Sequence, residues 1–122
     1  FYDESFNTFH GVTKIGSETI INNYGAGTPC GGSILKYQNN IYRSFDGGVS
    51  PMNADLSLDT DNKMGDYNQS LVYHVELIDG NIWFGLTNFS DYNEVKVIDS
   101  NGDEIGSYEV GVFPGDFGFW QN

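Results

Sequence analysis

Apolar and β-branched residues come in short runs divided by turn dipeptides, most clearly between Leu71 and Tyr108. Leu-Val-Tyr-His-Val-Glu-Leu-Ile (71–78) is followed by Asp79-Gly80 and then by Asn-Ile-Trp-Phe-Gly-Leu-Thr (81–87). A polar loop from Asn88 to Asn93 leads to Glu-Val-Lys-Val-Ile (94–98), and Asp99 to Glu104 leads to Ile-Gly-Ser-Tyr-Glu-Val (105–110). Asp-Gly and Asn-Gly favour tight hairpins, because both central residues of a type I′ turn need positive φ. The pattern predicts four short antiparallel strands in one up-and-down sheet, with Asp79-Gly80 and Asn101-Gly102 at hairpin tips.

The rest of the chain reads in the same way. A strand is expected within Tyr2–Phe9, where Phe6 and Phe9 alternate with polar residues. Val12–Ile15 and Thr19–Asn22 form a hairpin across Gly16-Ser17-Glu18. Pro29 and the glycines of Gly25–Gly32 make a loop. Ser33–Tyr37 and Ile41–Phe45 pair across Gln38-Asn39-Asn40. Asp46 to Asn53, with Gly47-Gly48 and Pro51, reads as a second long loop. Ala54–Leu58 alternates as a half-buried strand, Asp59–Lys63 is a turn, and Met64–Tyr67 is a short strand. No window has helical periodicity bounded by caps, so residues 1–122 are expected to form one all-β domain.

A shift of about 41 residues superposes Ile41 on Ile82, Tyr42 on Trp83, Phe45 on Leu86 and Leu56 on Val97. Met64 then meets Ile105, Gly65 meets Gly106 and Tyr67 meets Tyr108. A partial copy precedes these, with Val12–Asn22 in the role of Val95–Ser107. The repeat-like segments are about 1–32, 33–70 and 71–122. Four strands in about 41 residues is the size of a propeller blade, and Ile82-Trp83-Phe84-Gly85-Leu86 is apolar throughout, as a sheet covered on both faces requires. Gly-Asn-Ile-Trp-Phe, Asn-Glu-Val-Lys-Val-Ile-Asp, Glu-Ile-Gly-Ser-Tyr-Glu-Val-Gly and Pro-Gly resemble a repeat of the YVTN/YncE-like β-propeller family. The resemblance is best over Val75–Trp120 and looser over Val12–Phe45. It implies about three short antiparallel blades and names no catalytic residue. Gln69-Ser70 stands where the family has a Gly/Pro loop. Without the resemblance, a β-sandwich is the alternative fold.

Composition narrows the partners. Seventeen acidic residues against five Lys and Arg give a net charge of −12, a surface that repels nucleic acid and anionic membranes. Acidic ligands are disfavoured by the same field, and a divalent cation or a basic partner is weakly favoured. Nineteen aromatic residues argue against disorder. No run is long and apolar enough for a membrane span. The first residues have no basic or apolar leader and no initiator Met, so a processed or excised segment is expected.

Candidate chemistry is sparse. Cys30 is alone, and as a nucleophile it would need His10 or His74 as its base. Asp59-Thr-Asp61-Asn-Lys63 and Asp99-Ser-Asn101-Gly-Asp103 look like the starts of calcium loops, but Met64 and Glu104 occupy the position that needs glycine. Local Asx turns explain both stretches, so no metal ligand and no cofactor is assigned, with calcium only a weak candidate. Many carboxylate pairs exist, yet none is marked as a glycosidase pair. Aromatics flanked by Asn and Asp can hold sugar rings, which makes Phe89, Asp91 and Tyr92, with Arg43 and Asp46 near the corresponding earlier loop, the candidate ligand residues.

About three blades cannot close a ring alone. Phe6, Phe117, Phe119 and Trp120 are therefore expected to close the fold, either by pairing the N-terminal strand with residues 116–120 or by docking a second chain. The expectation is a non-catalytic extracellular or cell-surface module for protein binding or self-association. A carbohydrate-binding β-sandwich is the alternative and a glycoside-acting enzyme the third reading.

Overall fold

In a computed structural model the chain is all-β; residues 3–27 and 29–118 are described below. Among the described residues nine strands follow one another: β1 Phe9–Lys14, β2 Ile20–Ala26, β3 Ile34–Tyr37, β4 Asn40–Phe45, β5 Gly48–Pro51, β6 Val72–Ile78, β7 Asn81–Thr87, β8 Asn93–Ile98 and β9 Glu104–Glu109. A 3-10 turn at Thr60–Asn62 is the helical exception among the described residues. The strands form three antiparallel sheets in chain order, the hairpin β1-β2 and the meanders β3-β4-β5 and β6-β7-β8-β9.

Turn chemistry sets the registers. Asp79 and Gly80 have φ of 48° and 77°, and Gln38 and Asn39 have 46° and 66°, so each pair makes a two-residue turn with both φ positive. Ile34↔Arg43 through Tyr37↔Asn40 and Val75↔Phe84 through Ile78↔Asn81 are the same pairings displaced by 41 residues. Beyond these hairpins the displacement ends. Tyr42 next pairs with Pro51, whereas Trp83 pairs with Val97. Leu56, matched to Val97 by the shift, lies in a loop at φ 69°. The Asn101-Gly102 tip is also looser than a two-residue turn. Only Gly102 has positive φ, and the loop runs from Asp99 to Asp103, whose backbone groups pair.

Three expectations are corrected. The stretch Asp46–Asn53 contains β5, because Asp46 and Gly47 (φ 46° and 75°) make a tight turn that sends the chain back along β4. Ala54–Leu58 is a loop, held by Asp55 accepting from the Ser57 amide and hydroxyl, and Leu56 is its buried plug. Among the described residues no strand lies ahead of β1, which takes in only Phe9 of the expected Tyr2–Phe9 strand; there Asp3 accepts the amides of Ser5 and Asn7 in an Asx turn.

The main core lies between the second and third sheets. Leu35 and Val49 meet Val72, Val75, Ile82, Phe84, Leu86 and Ile98, with Tyr42, Met64 and Tyr67 at its margin. On β7 the side chains alternate, so Ile82, Phe84 and Leu86 face this core while Trp83 and Gly85 face the other way. Residues 110–118 run back across that second face. Pro114 passes so close to Gly85 that a Cβ there would sit 2.1 Å from its carbonyl oxygen, and Phe117 packs on Trp83 and His74 at 6.0 and 5.3 Å between ring centroids.

Candidate functional site

The first and second sheets enclose a cavity of about 620 Å³, within the range of small-ligand sites. Its wall brings together residues far apart in sequence: His10 on β1, Ala26 on β2, Arg43 and Ser44 on β4, Asp46 from the β4–β5 turn and Gln69 from the approach to β6. Phe9, Pro29 and Cys30 add apolar and sulfur surface.

Arg43 dominates the site. Only 6% of it is exposed. Its guanidinium carbon is 4.8 Å from the Tyr24 ring centroid, a cation–π placement that is favourable when the cation is desolvated. Of its five N–H donors, Nη1 donates to the Ser44 carbonyl at 3.1 Å and Nη2 to His10 Nδ1 at 3.4 Å, while Nε has no partner. The ion pairs among the described residues involve Lys63, Lys96 and His74, so no carboxylate neutralises Arg43. Burial lowers its pKa, an effect partly opposed by Tyr24. Its ordinary value is so high that it stays charged.

The neighbours are shaped around this cation. Because guanidinium only donates, His10 accepts at Nδ1 and carries its ring proton on Nε2. Burial, then the Arg43 charge, pull the His10 pKa down, so the ring is neutral. Gly25, at φ 141°, makes room for that ring, since a Cβ there would lie 3.2 Å from His10 Nε2. Tyr24 donates its hydroxyl to the Leu56 carbonyl, and burial raises its pKa. Ser44 fixes the rim by accepting the Ser33 amide and donating to the Gly31 carbonyl. Cys30 reaches the same wall with no hydrogen bond to His10 among the described residues, so no thiol–imidazole pair is formed.

The five candidate ligand residues separate into two places. Arg43 and Asp46 share the cavity. The Asp46 carboxylate lies 3.5 Å from the Lys63 ammonium. Phe89, Asp91 and Tyr92 lie in the β7–β8 loop of the third sheet, where Asp91 accepts from the Asn88 amide nitrogen at 2.8 Å. Asn88 in turn accepts the amides of Ser90 and Tyr92. Tyr92 donates its hydroxyl to Glu94, whose bond pushes the phenol pKa up to about 12. Phe89, 53% exposed, packs edge-on against Tyr73 and beside Phe113. These groups are engaged with one another and do not converge on the Arg43 cavity.

The closure residues also separate. Phe6 is 84% exposed and stands in the Asp3–Asn7 turn, so it does not pair with residues 116–118, which lie along the third sheet. Phe117 is half-buried on Trp83. Phe119 and Trp120 fall outside the described residues. The Asp99 loop uses its carboxylate on the amides of Asn101 and Asp103, and Asp59 accepts from Asn62.

Sequence reasoning missed His10 and Tyr24 as partners of Arg43. The pairing of β1 with β2 and the packing of that hairpin on β4 bring them together, and neither carries a local motif. Compared with protein-family models, curated proteins and solved structures, the chain matches none of them.

Proposed function

We propose that the chain is a non-catalytic binding module whose Arg43 cavity receives an acidic group of its partner. The observation that carries this reading is a buried cation, on the wall of a cavity, that makes no ion pair with a carboxylate among the described residues and keeps Nε without a partner. An unpaired buried charge is costly, and a carboxylate is a group whose geometry suits a guanidinium. The −12 surface opposes anions at long range. At short range the charge of the buried Arg43 is screened less than that of the exposed carboxylates.

The carboxylate belongs either to an acidic side chain of a protein partner or to an acidic saccharide. The aromatic and amide-bearing wall suits both. The meander sheets and the YVTN/YncE-like resemblance of Val75–Trp120 support a propeller-like module at a cell surface, completed by a partner or a second copy. That the exposed final strand β9 shows Ile105 and Tyr108 to solvent favours such assembly. Retention on immobilised acidic and neutral polysaccharides and on Glu-rich and Gln-rich peptides tests the reading. Retention by one acidic matrix and not by its neutral counterpart is expected. Equal retention on both members of each pair, or on none, contradicts it.

A further inference from the structure

The third sheet holds a second cluster, made of residues that do not line the Arg43 cavity. His74 and Glu76 lie two residues apart on β6, so both face away from the main core, on the face of the third sheet that carries Trp83 and Gly85. Their pairings, His74↔Gly85 and Glu76↔Trp83, follow an irregularity between Val72 and His74; bulges of this kind commonly re-aim a side chain. Residues 113–117 cross this face, and Asp116 comes down beside the pair. The His74, Glu76 and Asp116 ligand atoms all lie within 4.8 Å of one another. His74 Nε2 and Glu76 Oε2 are hydrogen-bonded to each other at 3.2 Å, a separation close to the roughly 3.3 Å edge of a tetrahedron with about 2.0 Å metal–ligand bonds, so an ion would replace the shared proton.

We propose that His74, Glu76 and Asp116 bind a divalent transition-metal ion of the zinc class and that the ion clasps residues 110–118 onto the third sheet. Three features converge on this assignment. First, the donor set is one imidazole and two carboxylates. The imidazole selects a borderline metal such as zinc over calcium, which takes six to eight oxygens. Second, the lysine ion pairs among the described residues are made by Lys63 and Lys96, and no lysine is paired with Glu76 or Asp116. Third, the ligands come from two segments already in contact. Phe117, next to Asp116, packs on the His74 ring at 5.3 Å, which aligns the imidazole before the ion arrives. Three protein ligands leave a fourth position for water. The net charge of −12 draws cations to the molecule.

The test uses the full chain carrying Cys30→Ser, which removes the thiol as a competing ligand. Zinc, calcium and magnesium chlorides are titrated calorimetrically into metal-stripped protein, into His74→Gln and into Asp116→Asn. One zinc per chain is expected, with affinity falling more than about tenfold in each variant, the low end of what even an outer-shell partner costs. Chymotryptic cleavage after Phe117 should slow on adding zinc to the parent chain and not to Asp116→Asn. Unchanged zinc affinity in both variants, tighter binding of calcium than of zinc, or zinc binding that leaves cleavage after Phe117 unslowed would each overturn the proposal. Because Arg43 is untouched, these outcomes leave the acidic-ligand reading to its own experiment.

Discussion

The Arg43 guanidinium carbon stands 4.8 Å from the centroid of the Tyr24 ring, and Tyr24 is pinned in turn by donating its hydroxyl to the Leu56 carbonyl. A loop plug, an aromatic ring and a buried cation thus form one stack from the first sheet to the second. The stack gives the cavity a fixed charge at a fixed place, which is what preorganised recognition of an acidic group requires.

If Arg43 serves binding rather than folding, Arg43→Met should leave stability within about 1 kcal/mol of the parent or raise it. Replacing a buried charge by a hydrophobe of similar volume is often neutral or favourable. Urea denaturation measures this. A loss beyond about 3 kcal/mol would make Arg43 a structural residue.

The core runs through Phe84, which is fully buried, and not through Trp83, whose ring faces the C-terminal segment. Phe84→Ala should therefore cost about 3–5 kcal/mol, Trp83→Ala less, and Tyr92→Ala, in its loop, least. A denaturant midpoint lower for Trp83→Ala than for Phe84→Ala would refute the assignment of faces on β7.

Gly85 matters because Pro114 lies on it. Gly85→Ala should destabilise the full chain, whereas Gly32→Ala, with open space around it, should not. In a chain ending at Glu109 the Gly85→Ala penalty should vanish, a non-additivity that a double-mutant cycle measures. An equal penalty in both backgrounds would show that residues 110–118 do not dock there.

His10 gives the pH dependence. Its folded pKa is held below the unfolded value, by burial first and by Arg43 second. The unfolded chain then binds more protons, so this contribution is complete above about pH 6.5 and is lost as pH falls through the folded pKa. The lowered carboxylates Asp3, Asp55, Asp91, Asp99 and Glu94 lose theirs in the ordinary carboxylate range further down. Between pH 7 and 5 the parent should lose stability faster than His10→Asn. Parallel curves would contradict the neutral-imidazole assignment.

The hairpins of the third sheet are legible in the sequence because Asp79-Gly80 leaves the backbone little choice. Strand β5 is not, since Gly47-Gly48 and Pro51 read as a loop. In the fold, Gly48 is a strand residue because Gly65 and Met64 carbonyls lie where a Cβ would be, and Pro51 sits at the strand's end. Ala54–Leu58 misleads in the opposite sense. One buried residue, Leu56, imitates an alternating face. Arg43 can be named as a candidate from its place near a loop. Its reason for mattering comes from His10 and Tyr24, which only the packing of two hairpins puts beside it.

The −12 surface and the buried cation act in opposite directions on binding. Association of an acidic ligand should therefore accelerate as ionic strength rises and the repulsive field is screened, the reverse of ordinary steering. Stopped-flow rates in low and high salt check this, and a rate that falls with salt would place the ligand on a basic rather than an acidic footing.

The central claim is tested most directly by calorimetric titration of a galacturonic acid trimer, a galactose trimer and a Glu-rich peptide into the parent chain and into Arg43→Met. The account predicts saturable binding of one of the two acidic probes, none of the neutral trimer, and loss of that binding in Arg43→Met with the fold intact. Binding of either acidic probe that survives Arg43→Met unchanged, or no binding of either to the parent, would contradict it.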